Sequence, residues 1–165
     1  MHAEHRRRNL ASGEPITMEL SGVYHRYHAP LFATVVIGSP SDRLKRLADK
    51  ALQLIGALLE TIRPGLTIDD VCKRMAKHLD SVDPEVYLSG YHGYSVGLGF
   101  PPAWPEHSAW IGEGSNEVLM PGMTFHIPRV LRVPGLMAAG FSETILVTET
   151  GCEVLTPHRR ELRVV

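Results

Sequence analysis

A few histidines and glutamates, with one glycine-rich aromatic run, carry the chemistry this sequence offers. Glu143 lies in PheSerGluThrIleLeuVal, residues 141–147, where strand alternation places Phe141, Glu143 and Ile145 on one face. A carboxylate among apolar neighbours needs a partner, which makes Glu143 a candidate acid, base or cation anchor. His28 and His126 sit in strand-like runs, His92 stands at the start of GlyTyrHisGlyTyrSerValGlyLeuGlyPhe, residues 90–100, and His107 follows its end. An imidazole titrates near neutrality, so each is a candidate to shuttle a proton or orient a carboxylate. Trp104, in ProProAlaTrpPro, offers a face on which a cationic ring can rest. Gly93, Gly97 and Gly99 suit close backbone approach and turns; no helix N-terminus follows them, so they do not read as a phosphate cradle.

The elements that must position these residues are legible in outline. Residues 16–38 are rich in β-branched and aromatic side chains and predict two or three strands, with Gly22 and Pro30 as punctuation. Ser39, Pro40 and Asp42 predict a helix start, with Ser39 as N-cap, and the helix runs to about Ile62. Leu44, Leu47, Ala48, Ala51, Ile55, Leu58 and Ile62 recur at three-and-four spacing and make one apolar face. Thr67 with Asp70 predicts a capping box for a shorter helix ending near Ser81. Residues 83–105 then turn to glycine, proline and aromatics and read as a lining loop. Four more strands are predicted near Met123–Ile127, Arg129–Val133, Phe141–Thr148 and Glu153–Leu155. Strands, two helices, then strands define an α+β class with a largely antiparallel sheet.

Composition narrows the functional classes. The chain has 165 residues, enough for one domain with its own core. Seventeen Lys and Arg balance eighteen Asp and Glu for a net charge of −1, so no field favours nucleic acid as a partner. Arg6, Arg7 and Arg8 form the one dense basic run and read as part of a mobile N-terminus over residues 1–14. Cys72 and Cys152 predict free thiols in a reducing compartment, and with no 18-residue apolar run the expectation is a cytoplasmic protein without a membrane partner.

Two stretches bring in a resemblance. ValLeuMetProGlyMetThrPheHisIlePro (118–128) and SerGluThrIleLeuValThrGluThrGlyCysGluValLeuThr (142–156) resemble the end of the catalytic domain shared by the creatinase, methionine aminopeptidase and Xaa-Pro peptidase superfamily. Upstream, GluLeu and TyrHisAlaProLeuPheAlaThrValValIleGly resemble the strand pair that supplies two Asp ligands in its metal-using members. The resemblance runs from about Ile16 to Thr156 and implies a pita-bread fold, here incomplete, with a mainly antiparallel curved sheet and two helices over residues 15–165. It implies a homodimer or larger assembly as well, because a strand over Ile16–Leu20 leaves an open sheet edge.

Metal-using members of the superfamily hold two ions through two Asp, one His and two Glu. Those positions fall here on Glu19, Pro30, Tyr94, Pro128 and Glu143, and a proton-transfer His falls on Pro101. Two scattered glutamates cannot bridge a pair of ions, so the expectation is a site without metal or other cofactor. GlyTyrSerValGlyLeuGlyPheProPro with Trp104 and Glu106 is similar to the ectoine hydrolase branch, which opens a small cyclic amidine. The resemblance therefore implies hydrolysis of a carbon–nitrogen bond in a cyclic amidine or amino-acid derivative. Its implied catalytic groups are Glu19, Glu143 and His28, and its substrate-binding groups are Tyr94, His92, Trp104 and Glu106. Two other outcomes stay open: a binding or scaffold module that has lost its catalysis, and an Xaa-Pro peptidase.

Overall fold

The computed structural model describes residues 7–100 and 103–165. Residues 1–5 and Arg6 of the expected mobile N-terminus, and Pro101, lie outside the described residues. The chain opens with a long hairpin, β1 (Pro15–Tyr24) and β2 (Tyr27–Val36), paired in register from Pro15 opposite Val36 to Tyr24 opposite Tyr27. His25 and Arg26 form its two-residue turn with φ of 47° and 73°, the left-handed geometry that matches strand twist. Pro30 does not interrupt β2. It faces inward with His28, Phe32 and Thr34, and its carbonyl accepts the Thr144 hydroxyl at 2.8 Å.

Helix α1 (Asp42–Thr61) follows and α2 (Ile68–Leu79) packs against it. The N-cap of α1 is Ser41, whose hydroxyl accepts the Leu44 N–H at 3.2 Å, rather than the expected Ser39. Both serines precede Asp42; only Ser41 is adjacent to the first helical residue and within reach of the third N–H. Thr67 and Asp70 make the expected capping box, each side chain bonded to the other's N–H at 3.1 Å. The predicted apolar positions of α1 are buried from Leu44 to Ile62 and form the core with Ile68, Val71 and Met75 of α2.

Beneath the helices lie β3 (Tyr91–Ser95), β4 (Trp110–Gly112), β5 (Thr124–His126), β6 (Arg129–Val133), β7 (Met137–Phe141), β8 (Thr144–Val147), β9 (Cys152–Val154) and β10 (Arg163–Val164). A five-stranded antiparallel sheet runs β4-β3-β5-β8-β9, β6 pairs with β7, and β10 joins the outer edge of β2 in parallel. The architecture is α+β, two helices on mainly antiparallel sheets. The stretch read as a lining loop contributes β3 to this sheet. The single strand expected over Phe141–Thr148 is two: β7 ends at Phe141 and β8 starts at Thr144, with a break at Ser142–Glu143.

That break is held by β2. Ser142 donates its N–H to the Phe32 carbonyl at 2.8 Å, and its hydroxyl accepts the Phe32 N–H at 2.7 Å. Gly140 lets the two strands meet: a Cβ there would sit 2.8 Å from both the Phe32 ring and the Val130 side chain. Both cysteines are free. Among the described residues no helix is long and apolar enough to cross a membrane.

Candidate active site

The inner face of the hairpin carries the first candidate group. Residues directly opposite in an antiparallel pair share a face, so Glu19 stands beside Phe32, and Val23 beside His28, on the inward side. Glu19 is exposed on edge strand β1. Strands rise about 3.3 Å per residue, which separates His28 from the Glu19 position by about 13 Å along the hairpin. The two share a face but cannot exchange a proton directly. His28 is buried, donates its backbone N–H to Gly97 at 2.8 Å, and meets the Phe100 ring edge-on at 5.9 Å. Neither of its ring nitrogens has a partner among the described residues.

Facing Phe32, three strands bring together a chain of polar groups. His126 of β5 is fully buried, with Nδ1 2.7 Å from the Tyr94 hydroxyl and Nε2 2.6 Å from Ser142 Oγ. Burial in this apolar setting drops the imidazole to about 3, so the ring is neutral at pH 7, one nitrogen donating and the other accepting. Ser142 Oγ already accepts the Phe32 N–H, which leaves its own proton for Nε2. Nδ1–H then donates to Tyr94, and the phenolic O–H is free to point out of the chain. This arrangement uses the Ser142 and imidazole hydrogens and leaves the phenolic one free. Burial raises the Tyr94 phenol above its ordinary range, and the negative charge of Glu19 raises it further, so Tyr94 stays a donor at neutral pH.

Aromatic rings wall this corner. Trp110 lies 5.1 Å from Tyr91, 5.5 Å from Tyr94 and 5.8 Å from His107, and is partly exposed. The expected floor, Trp104, lies in the loop after Phe100, half-buried, with its carbonyl packed on Gly99. Glu106 is exposed, and its carboxylate accepts the Gly99 N–H, closing that same loop. Glu106 thus shapes the loop rather than the aromatic corner.

Glu143 is fully buried, as expected of an inward carboxylate, yet it turns away from His126. Its carboxylate accepts Arg160 Nε at 2.9 Å and the Thr156 hydroxyl at 2.9 Å, with His158 Nδ1 at 3.5 Å. The break before β8 shifts the alternation by one residue, and Ser142 occupies the inward position instead. His92 also parts from the group. The register of β3 on β4 shifts between Tyr91 and Gly93, making His92 the extra residue of a bulge. It borders a cleft with Leu79, Leu88 and Glu113, while Tyr94 faces Trp110 and His126.

The structure therefore assembles Tyr94, His126, Ser142 and Trp110, with the exposed Glu19 carboxylate acting on Tyr94 through its charge alone, and leaves His28, His92, Glu106, Trp104 and Glu143 outside this cluster. Ser142, His126 as a bridge, and Trp110 were not assigned to the site from sequence; for Ser142 no signal existed beyond its place beside Glu143. The donor set does not fit a two-ion centre. Tyr94, His126 and Ser142 are hydrogen-bonded to one another, Pro30 and Pro128 offer no side-chain donor, and Glu143 is engaged by Arg160. Among the described residues no three His, Cys, Asp or Glu converge to hold a metal ion.

The chain has relatives among known proteins. Residues 1–149 match the model of metallopeptidase family M24. The ectoine hydrolase of Halomonas elongata is 34% identical over 157 residues, covering 92% of this chain and 38% of that protein. The Xaa-Pro dipeptidase of Pyrococcus furiosus is 28% identical over 163 residues, 94% of this chain and 43% of that protein. The crystal structure of dipeptidase PepE from Mycobacterium ulcerans superposes with a TM-score of 0.85 at 27% identity, over 96% of this chain and 42% of that one. The expected pita-bread fold is thus the observed one, in part, and the chain spans about two fifths of the length of these relatives. Sequence and fold agree: the chain belongs to metallopeptidase family M24.

Proposed function

We propose that this chain carries a metal-independent hydrolytic site for a small cyclic amidine. The observation that carries the reading is a phenol, Tyr94, that a buried His126–Ser142 relay holds in place beside an exposed indole, with the Glu19 charge felt at that phenol. An amidinium is a planar cation. Trp110 can accept it on its ring face, and Glu19 adds negative charge beside the carbon to be attacked.

In this reading Glu19 takes a proton from water as the oxygen bonds to the amidinium carbon. Tyr94 donates a hydrogen bond to that oxygen. Collapse of the tetrahedral carbon breaks one carbon–nitrogen bond; the water oxygen becomes the amide oxygen and both its protons end on the departing nitrogen as an ammonium. Similarity to an ectoine hydrolase supports the substrate class, and the donor set argues against routing the reaction through a metal. Residues 15–165 would form the working part, in a reducing compartment where Cys72 and Cys152 stay free. Dimer assembly belongs to the same reading, because among the described residues β1 ends its sheet with one edge unpaired.

The test is turnover of ectoine by chelator-treated protein, with ring-opened product read by mass spectrometry. Glu19→Gln abolishes product, and Tyr94→Phe slows it by about 10–100-fold. Turnover that requires added divalent metal, or that prefers an Xaa-Pro dipeptide, overturns the reading. A folded chain that binds ectoine without cleaving it marks a binding module instead.

A further inference from the structure

On the helix side of the sheet, away from the His126 relay, lies a second set of buried polar groups. Arg129, the first residue of β6, is fully buried. Its Nη1 donates to the Tyr91 carbonyl at 3.3 Å, and its Nε and Nη2 have no partner among the described residues. Those two donors lie on the same edge of the planar guanidinium, the edge that takes both oxygens of a carboxylate side by side. His92, the bulged residue of β3, is 5% exposed, and its Nδ1 also lacks a partner.

Among the described residues no carboxylate pairs with this cation. The neighbour on α2 is Cys72, and burial pushes its thiol up to about 11, so it stays an uncharged SH beside Arg129. Burial, and after it the Arg129 charge, lower His92 to about 3, so that ring is neutral and can present Nδ1–H as a third donor. A buried guanidinium with one open edge and no counter-charge is unfavourable unless an anion completes it. His92 connects this spot to the outside, since it also borders the cleft lined by Leu79, Val82, Val86, Leu88 and Glu113. The cleft wall mixes these apolar side chains with two acids, Asp83 and Glu113, which disfavour a second negative charge on the occupant.

We propose that Arg129 and His92 form a binding site for a small monocarboxylate, held bidentate on the Nε/Nη2 edge of Arg129 and by Nδ1–H of His92, with its apolar end toward the cleft. The site shares no residue with the Glu19–Tyr94 corner and does not depend on that reading.

Acetate and propionate are the probes, titrated calorimetrically into the full chain in chloride-free buffer at pH 7 and matched ionic strength. One saturable equivalent binds, propionate at least as tightly as acetate. Arg129→Met abolishes the binding, His92→Phe weakens it about tenfold, and Glu19→Gln leaves it unchanged. Should Arg129→Met fail to fold, the Arg129 Nε–H resonance of the wild-type protein gives the answer, moving downfield to saturation with acetate. A featureless titration with an unmoved Nε–H resonance overturns the proposal, as does binding that survives in His92→Phe at full strength.

Discussion

Two buried imidazoles make this fold sensitive to mild acid. His126 and His92 are each lowered to about 3, both first of all by burial, and an unfolded histidine titrates near 6.5. Between those values the unfolded chain binds protons that the folded chain refuses, so stability rises with pH and is lost as pH falls below 6.5. Each ring contributes a slope of about 1.4 kcal/mol per pH unit in that window. From pH 7 to pH 5 the loss is about 2 kcal/mol per ring and about 4 kcal/mol together, a large share of the ~5–15 kcal/mol that holds a typical domain. The carboxylates held low by ion pairs and caps, Glu14, Asp42, Asp69 and Asp70, titrate below this range and do not contribute to it. Urea denaturation at pH 7, 6 and 5 reads the effect as a falling midpoint with constant slope. His92→Phe and His126→Phe together remove the pH dependence across the same range. An unchanged midpoint between pH 7 and pH 5, or an equal fall in the double variant, refutes the assignment of these rings as buried and neutral.

Other perturbations probe the elements that position the site. A Cβ at Gly93 would stand 2.7 Å from the His126 carbonyl, so Gly93→Ala pushes β3 from β5 and costs about 1–3 kcal/mol in denaturation; a neutral result shows that the strands are not in this register. Ser41→Ala costs about 1 kcal/mol of thermal or urea stability and Ser39→Ala about none, and the reverse order returns the cap to Ser39. Glu143→Gln weakens the Arg160 bond, costs about 1–3 kcal/mol, and speeds hydrogen exchange at the Val165 N–H that bonds Val36; unaltered exchange uncouples Glu143 from the last residues.

The helices were legible because their signals are local: three-and-four apolar spacing from Leu44 to Ile62, and a capping box from Thr67 to Asp70. β7 was not, since MetAlaAlaGlyPhe has one bulky β-former, and its small residues answer to Phe32 across the sheet rather than to each other. The candidate site divides the same way. Resemblance singled out Glu19 and Tyr94 by position, whereas the direction of Glu143 depends on a strand break that no periodicity records. Arg160 and Thr156, which hold Glu143, lie past that break, and His126 acquires its meaning from partners 32 residues before it and 16 after it.

The three-stranded sheet β1-β2-β10 joins one of the shortest connections in the fold to a partner far along the chain. Its hairpin closes through two residues and can form within about 1–10 μs of leaving the ribosome. The other edge of β2 receives its partner, Arg163–Val164, from about 130 residues further along. At ~5–20 residues per second, the Val35–Val36 end of β2 waits about 6 to 26 s during synthesis for this partner. For that interval the end of the hairpin is open on the β2 side, and the last two paired residues act as the latch that closes that flank, leaving β1 as the remaining edge.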